Sequence, residues 1–154
     1  MKKKTIFFAT MLLIMALALS ACSLVKPRTA LTADDFKTKM ESAGLTVEDA
    51  TDQFEEGTVE LVLIAYNDDY QIEFYVMETA AKAEQSFAGN KQNFEALSGN
   101  KSTASLNGSN FNSFTMTLGG QYAVVSRVEN TFIYVDEEVE HRDTIKEILK
   151  DLGY

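Results

Sequence analysis

The stretch FNSFTMTLGGQYAVVSRVENTFIYVD, residues 111–136, decides the fold. It contains runs rich in β-branched and aromatic residues, and short turn signals separate these runs. Gly119-Gly120 is a strong signal for a two-residue hairpin because both positions of such a turn favour positive φ, and Glu129-Asn130 is a weaker one. The stretch therefore predicts antiparallel strands that follow one another along the chain.

The strands around this stretch have a predicted register. If Gly119-Gly120 forms a two-residue turn, Met116 lies opposite Ala123 and Phe114 lies opposite Val125. Upstream, Asn107-Gly108 is a second strong hairpin signal, and we read it also as a two-residue turn with positive φ. The strands predicted for this half of the chain are residues 101–106, 111–118, 121–128 and 131–136.

Two further strands are predicted in the first half of the chain. Residues 59–66 (VELVLIAY) and 70–77 (YQIEFYVM) are joined at Asn67-Asp68-Asp69. The first of them has apolar residues at both odd and even positions, which is typical of a strand that is covered on both faces. Residues 45–57 are acidic and irregular, so we expect a connector there, with at most a turn or a short strand.

Three helices complete the prediction. Thr32 is placed to cap a first helix, with Asp35 three positions later, and Thr79 to cap a second helix that runs to about Leu97. A last helix covers residues 139–151. The apolar stripe of the second helix is Ala80, Ala83, Phe87, Phe94 and Leu97, and that of the last helix is Ile145, Ile148, Leu149 and Leu152.

The element order is α-β-β-α-β-β-β-β-α, which predicts the α+β class with a mainly antiparallel sheet of five or six strands. We expect residues 31–154 to form a single domain of this kind. The long middle helix should cover one face of the sheet, and the first and last helices should cover part of the other, because residues 59–66 and 121–128 are apolar at both parities.

The N-terminus carries a targeting signal. Residues 1–22 read MKKKTIFFATMLLIMALALSAC, in which three lysines precede an apolar run, residues 6–19. This run spans about 21 Å as a helix, which is short of the roughly 30 Å of a bilayer core. The motif Leu19-Ser20-Ala21-Cys22 resembles the lipobox of bacterial lipoproteins.

That resemblance implies cleavage between Ala21 and Cys22 and a diacylglycerol thioether on Cys22. We therefore expect residues 1–21 to be a lipoprotein signal peptide and residues 22–30 a lipidated basic tether. The protein would then be anchored to the cell membrane and exposed on its extracytoplasmic side.

Composition excludes several classes of site. The 154 residues include one cysteine and one histidine, so an intramolecular disulfide, a multi-cysteine metal site and a histidine-pair metal site are excluded. The net charge is −9, and removal of Lys2, Lys3 and Lys4 with the signal peptide leaves 11 basic and 23 acidic residues, a net of −12. This acidity argues against a nucleic-acid partner.

No catalytic residue, metal site or cofactor is predicted. The single imidazole, His141, is interpreted as a partly buried helix residue beside acidic neighbours, and the acidic clusters as solvated faces, with weak divalent-ion binding left open. Tyr66 and Tyr75 are candidates for a binding surface if the terminal helices leave them uncovered. Arg127 is a further candidate; its alternative is a cation that buries its stem and pairs with a carboxylate.

The element order, together with YQIEFY at residues 70–75 and VVSRV at residues 124–128, is similar to small lipoproteins of Gram-positive bacteria that carry no assigned activity. This resemblance implies no catalytic residues. We expect a lipid-anchored cell-envelope protein with a non-enzymatic binding or accessory domain, whose partner is another envelope protein, a wall component or a small ligand. The alternative is a small carboxylate-dependent envelope hydrolase acting on glycans, which needs two carboxyl groups about 5–9.5 Å apart.

Overall fold

The computed structural model describes residues 25–154, which form one antiparallel sheet of seven strands and three α-helices. The predicted signal peptide, the motif Leu19-Ser20-Ala21-Cys22 and the predicted cleavage site lie outside the described residues. In chain order the elements are α1 (Ala33–Ser42), β1 (Thr46–Asp49), β2 (Leu61–Tyr66), β3 (Gln71–Val76), α2 (Ala80–Ala96), β4 (Lys101–Asn107), β5 (Phe111–Leu118), β6 (Gln121–Val128), β7 (Thr131–Glu138) and α3 (Arg142–Leu152).

The sheet order is β1-β2-β3-β7-β6-β5-β4, and each neighbouring pair is antiparallel. The α+β class is therefore confirmed, but the predicted count of five or six strands is wrong. The additional strand is β1, which lies within the predicted connector and pairs with β2 through Val47 and Ala65. Its four residues are too few to show an alternating pattern, and their pairing depends on the edge that β2 offers.

The turn that follows β5 agrees with the prediction. Phe114 pairs with Val125 and Met116 with Ala123, as the sequence predicted, and two residues separate Leu118 from its partner on β6. Positive φ is needed only at Gly119, whose φ is 58°, and not at both glycines.

The turn at Asn107-Gly108 differs from the prediction. The last paired residues are Asn107 and Asn112, so four residues separate them instead of two, and Gly108 does not adopt positive φ. Gly108 is required for another reason. A Cβ atom there would lie 2.0 Å from the ring of Phe111, so the close approach of this ring excludes any side chain.

The helices cover the two faces of the sheet as predicted. On one face, α1 and α3 bury Phe36 and Ile145, and the ring of Phe36 stacks on that of Phe74 with 4.7 Å between centroids. Complete burial of a side chain of this size contributes about 2–3 kcal/mol. On the other face, α2 places Phe87 and Phe94 over the middle strands.

The ends of the helices show smaller differences. Ala80 and Leu97 were expected in the buried stripe of α2, but both are exposed, because they lie at the two ends of the helix and not over the sheet. The last helix begins at Arg142, later than predicted, since a 3-10 turn (Val139–His141) precedes it. Within residues 25–154, no helix combines the length and apolarity that crossing a bilayer requires.

Candidate ligand-binding site

A cleft of about 420 Å³ lies on the α2 face of the sheet. Its floor is formed by β3 and β7, one wall by α2, and the other wall by residues 54–59, which lead from β1 into β2. Clefts of roughly 300–1,000 Å³ that combine aromatic side chains with a few polar groups are typical of small-molecule sites. This volume and lining make the cleft the candidate functional site.

The floor of the cleft is aromatic. Tyr75 on β3 and Phe132 on β7 are directly paired in the sheet, and their rings stack in parallel with 4.3 Å between centroids. Phe54 meets Tyr75 edge-on at 5.8 Å, and Tyr134 stacks at 5.5 Å on Phe94 of α2. Because these rings hold one another in place, they offer a ligand a pre-organised apolar surface.

Glu73 supplies the charge in the cleft. Its carboxylate accepts a hydrogen bond from the hydroxyl of Tyr75 and one from Nε2 of Gln71, which lies 3.0 Å from Oε1. Burial, together with the bond to Glu73, raises the pKa of Tyr75 far above its usual value, so Tyr75 stays a donor. Among the described residues that line the cleft, Glu73 is the single carboxylate.

The α2 wall is polar and includes a glycine. Ser86, Asn90 and Asn93 line it, and Nδ2 of Asn90 donates to the carbonyl of Ser86 at 2.9 Å. Gly89 lies between them in the helix interior, where glycine costs about 0.5–1 kcal/mol relative to alanine. A Cβ atom at Gly89 would meet no atom within 4 Å, so close packing does not explain this glycine. Its effect is to leave the cleft open.

Gly89, Asn90 and Asn93 were not predicted as site residues from the sequence. The signal for Gly89 was weak, because an isolated glycine inside a helical pattern is tolerated and only costs about 1 kcal/mol relative to alanine. The asparagines carried no such signal. Their placement beside the aromatic floor depends on how α2 crosses the sheet.

The two tyrosine candidates lie at different places in the structure. Tyr75 lines the cleft, whereas Tyr66 lies at the end of β2, where its hydroxyl donates to Oε1 of Glu48 at 2.7 Å. Both lie on the face that α2 covers in part, so the expectation that the terminal helices would cover or expose them was wrong. The register explains this result, because Tyr75 pairs with Val62 and therefore shares its face.

Arg127 is a structural cation. It is 7% exposed, and its Nε and Nη2 donate to Oδ1 of Asn112 at 3.0 and 2.7 Å. Its Nη1 donates to the carbonyl of Glu129 at 3.1 Å. The side chain is thus buried and hydrogen-bonded within the protein, and its partners are an amide and a carbonyl instead of the carboxylate that the alternative interpretation expected.

A second, shallower depression of about 250 Å³ lies beside the turn between β2 and β3. Tyr66 lines it together with the carboxylates of Asp68, Asp69 and Glu137. Burial raises the pKa of Glu137, although its carboxylate accepts a hydrogen bond from the backbone of Gln71 at 2.9 Å. This depression brings acidic groups together, which the cleft does not.

His141 belongs to an acidic turn after β7. Its Nε2 lies 3.4 Å from Oε1 of Glu140, and single ligand atoms of Glu138, Glu140 and His141 all lie within 4.8 Å of one another. Both glutamates are exposed, and exposed acidic groups of this kind are common without an ion. His141 is partly buried beside acidic neighbours, but it lies in the 3-10 turn before α3 and not in the α-helix in which it was predicted.

Comparison with known proteins found no matching family model, no matching curated protein and no matching solved structure.

Proposed function

We propose that this chain is a lipid-anchored protein of the bacterial cell envelope whose extracytoplasmic body binds a ligand in the cleft and does not catalyse a reaction. The proposed anchor is Cys22, on the strength of the motif Leu19-Ser20-Ala21-Cys22 behind a lysine-rich, apolar leader. The short stretch of chain between Cys22 and Arg28, at most about 22 Å long, supports a position of the body near the membrane.

The cleft carries the binding proposal. Its aromatic floor suits the apolar face of a ring, while Asn90, Asn93 and Glu73 suit hydroxyl and amide groups at the edge of that ring. Sugar rings of the cell wall combine these two features. We therefore propose a wall glycan fragment as the ligand class, with Gly89 leaving the space that the ring occupies.

Calorimetric titration of the protein with N-acetylglucosamine oligomers and with muramidase-digested wall fragments tests this proposal. We expect saturable binding to the wild type and its loss in Gly89→Leu, because the new side chain enters the open cleft. Ala88→Leu is the matched control, since Ala88 is exposed on the same helix and does not line the cleft. Absence of binding to the wild type, or equal binding by both variants, contradicts the proposal.

The glycan hydrolase is the competing function. Glycoside hydrolysis needs two carboxyl groups across the scissile bond, and Glu73 has no carboxylate partner among the described residues that line the cleft. An enzyme would have to use the acidic depression, where Glu137 has a raised pKa. Release of shorter glycans from wall fragments, abolished in Glu137→Gln, would favour the hydrolase over the binding module.

A further inference from the structure

The chain segment before α1 is attached to the sheet by a side-chain clamp. The backbone N–H of Arg28 donates to Oδ1 of Asn110 at 3.0 Å, and Nδ2 of Asn110 donates to the carbonyl of Arg28 at 2.7 Å. One amide side chain thus satisfies both main-chain groups of Arg28, as a neighbouring strand would do. Residue 28 is therefore held at a defined place on the body.

The side chain of Arg28 strengthens the attachment. Its guanidinium carbon lies 4.1 Å from the centroid of the Phe111 ring, and Phe111 is fully buried. The negative face of an aromatic ring attracts a cation, more strongly as the cation loses its water. The segment is thus packed against the sheet at Arg28, which lies within the range 22–30 predicted as the tether.

The clamp lies at the same end of the sheet as Met77, one of the residues that line the cleft. The backbone N–H of Glu129 donates to the carbonyl of Asn110 at 2.9 Å, which joins the turn after β4 to the turn after β6. The neighbouring Asn130 donates through Nδ2 to the carbonyl of Met77 at 3.0 Å, and Met77 lines the cleft. We call the turns at residues 108–111 and 129–130 the clamped end of the sheet.

We propose that the clamp fixes the orientation of the body on the membrane, with the clamped end against the lipid headgroups and the Met77 end of the cleft nearest to them. This inference rests on the proposed anchor at Cys22. The six Cα–Cα steps from Cys22 to Arg28 span at most about 22 Å. The far end of the sheet, at Gly119-Gly120, lies a further eight residues of β5 away, or about 26 Å. A lipid surface is thus the partner of the clamped end.

Energy transfer from tryptophan to a dansyl headgroup lipid tests the orientation, because the chain has no tryptophan of its own. Ser109→Trp places the donor at the clamped end, and Gln121→Trp places it at the far end; both positions are exposed. The lipidated protein is purified from bacterial membranes and reconstituted into phosphatidylglycerol vesicles that contain the dansyl lipid. We expect stronger transfer from Ser109→Trp than from Gln121→Trp.

Adding Asn110→Ala to each donor variant should reduce this difference, because the clamp is removed. Asn67→Ala is the matched control, since Asn67 also accepts backbone hydrogen bonds in a hairpin turn but lies at the opposite end of the sheet from the clamp. Equal transfer from the two donors, or stronger transfer from Gln121→Trp, overturns the orientation even where Asn110→Ala fails to fold. Protein that does not float with the vesicles overturns the anchor itself, and this result separates the two failures.

Discussion

Replacement of Gly89 by alanine should stabilise the protein. Gly89 lies in the interior of α2, and the added Cβ atom would meet no atom within 4 Å, so the substitution introduces no clash. The gain is the helix propensity difference, about 0.5–1 kcal/mol. With a urea dependence of about 2 kcal/mol per molar for a domain of this size, the midpoint of unfolding should rise by about 0.4 M.

Urea unfolding followed by far-ultraviolet circular dichroism measures this shift. The slope of the transition should stay unchanged, because the substitution leaves the surface exposed on unfolding almost the same. A midpoint that falls would refute the reasoning, since it would mean that the Cβ atom meets packed atoms and that Gly89 is needed for packing. In that case Gly89 would be a packing residue and not one that keeps the cleft open.

The variant Gly89→Leu tests the role of this glycine in ligand binding. Leucine is also a good helix former, so the free energy of unfolding should again rise by about 0.5–1 kcal/mol while binding is lost. A variant that is more stable and no longer binds separates the function of the cleft from its contribution to folding. Unchanged binding in this variant would show that the ligand does not use the cleft.

Three further predictions concern other parts of the chain. Asn112→Ala should lower the free energy of unfolding by about 3 kcal/mol, because two donors of the buried Arg127 lose their acceptor. Asn107→Ala removes only an exposed hydrogen-bond partner of Asn112, so it should lower the free energy of unfolding by less than about 1 kcal/mol. Burial raises the pKa of Tyr154 to about 12 from an ordinary value of about 10. The folded state thus favours the protonated phenol, and a contribution of about 2–3 kcal/mol that is present below pH 10 should be lost between pH 10 and 12. Tyr154→Phe should weaken this alkaline loss in urea titrations, and an identical pH profile would contradict it. Cys22→Ala should abolish labelling by a radioactive fatty acid, and label that persists would reject the proposed anchor.

Sequence signals were sufficient to predict those features that depend on residues close together in the chain. The cap at Thr32, whose hydroxyl accepts from the backbone of Asp35, and the register around Gly119 follow from residues close together in the chain. Strand β1 was predicted only as a possible short strand within a connector, because its pairing comes from β2, more than ten residues away along the chain. The same limit applies to Gly108, because glycine is required there by the position of the Phe111 ring in the folded protein.

The sequence by itself determined the α+β class, the two-faced core and the acidic character of the body, and it carries the motif Leu19-Ser20-Ala21-Cys22 on which the proposed anchor rests, because periodicity, turn residues and composition are properties of the chain alone. Only the tertiary structure decided which side chains come together in the cleft. It joined Tyr75 on β3 with Phe132 on β7, which are far apart in sequence, and set Gly89 above them. It also showed Arg127 to be a structural cation and Arg28 to be clamped by Asn110. These outcomes depend on which strands become neighbours and on how α2 crosses them, and long-range packing decides both.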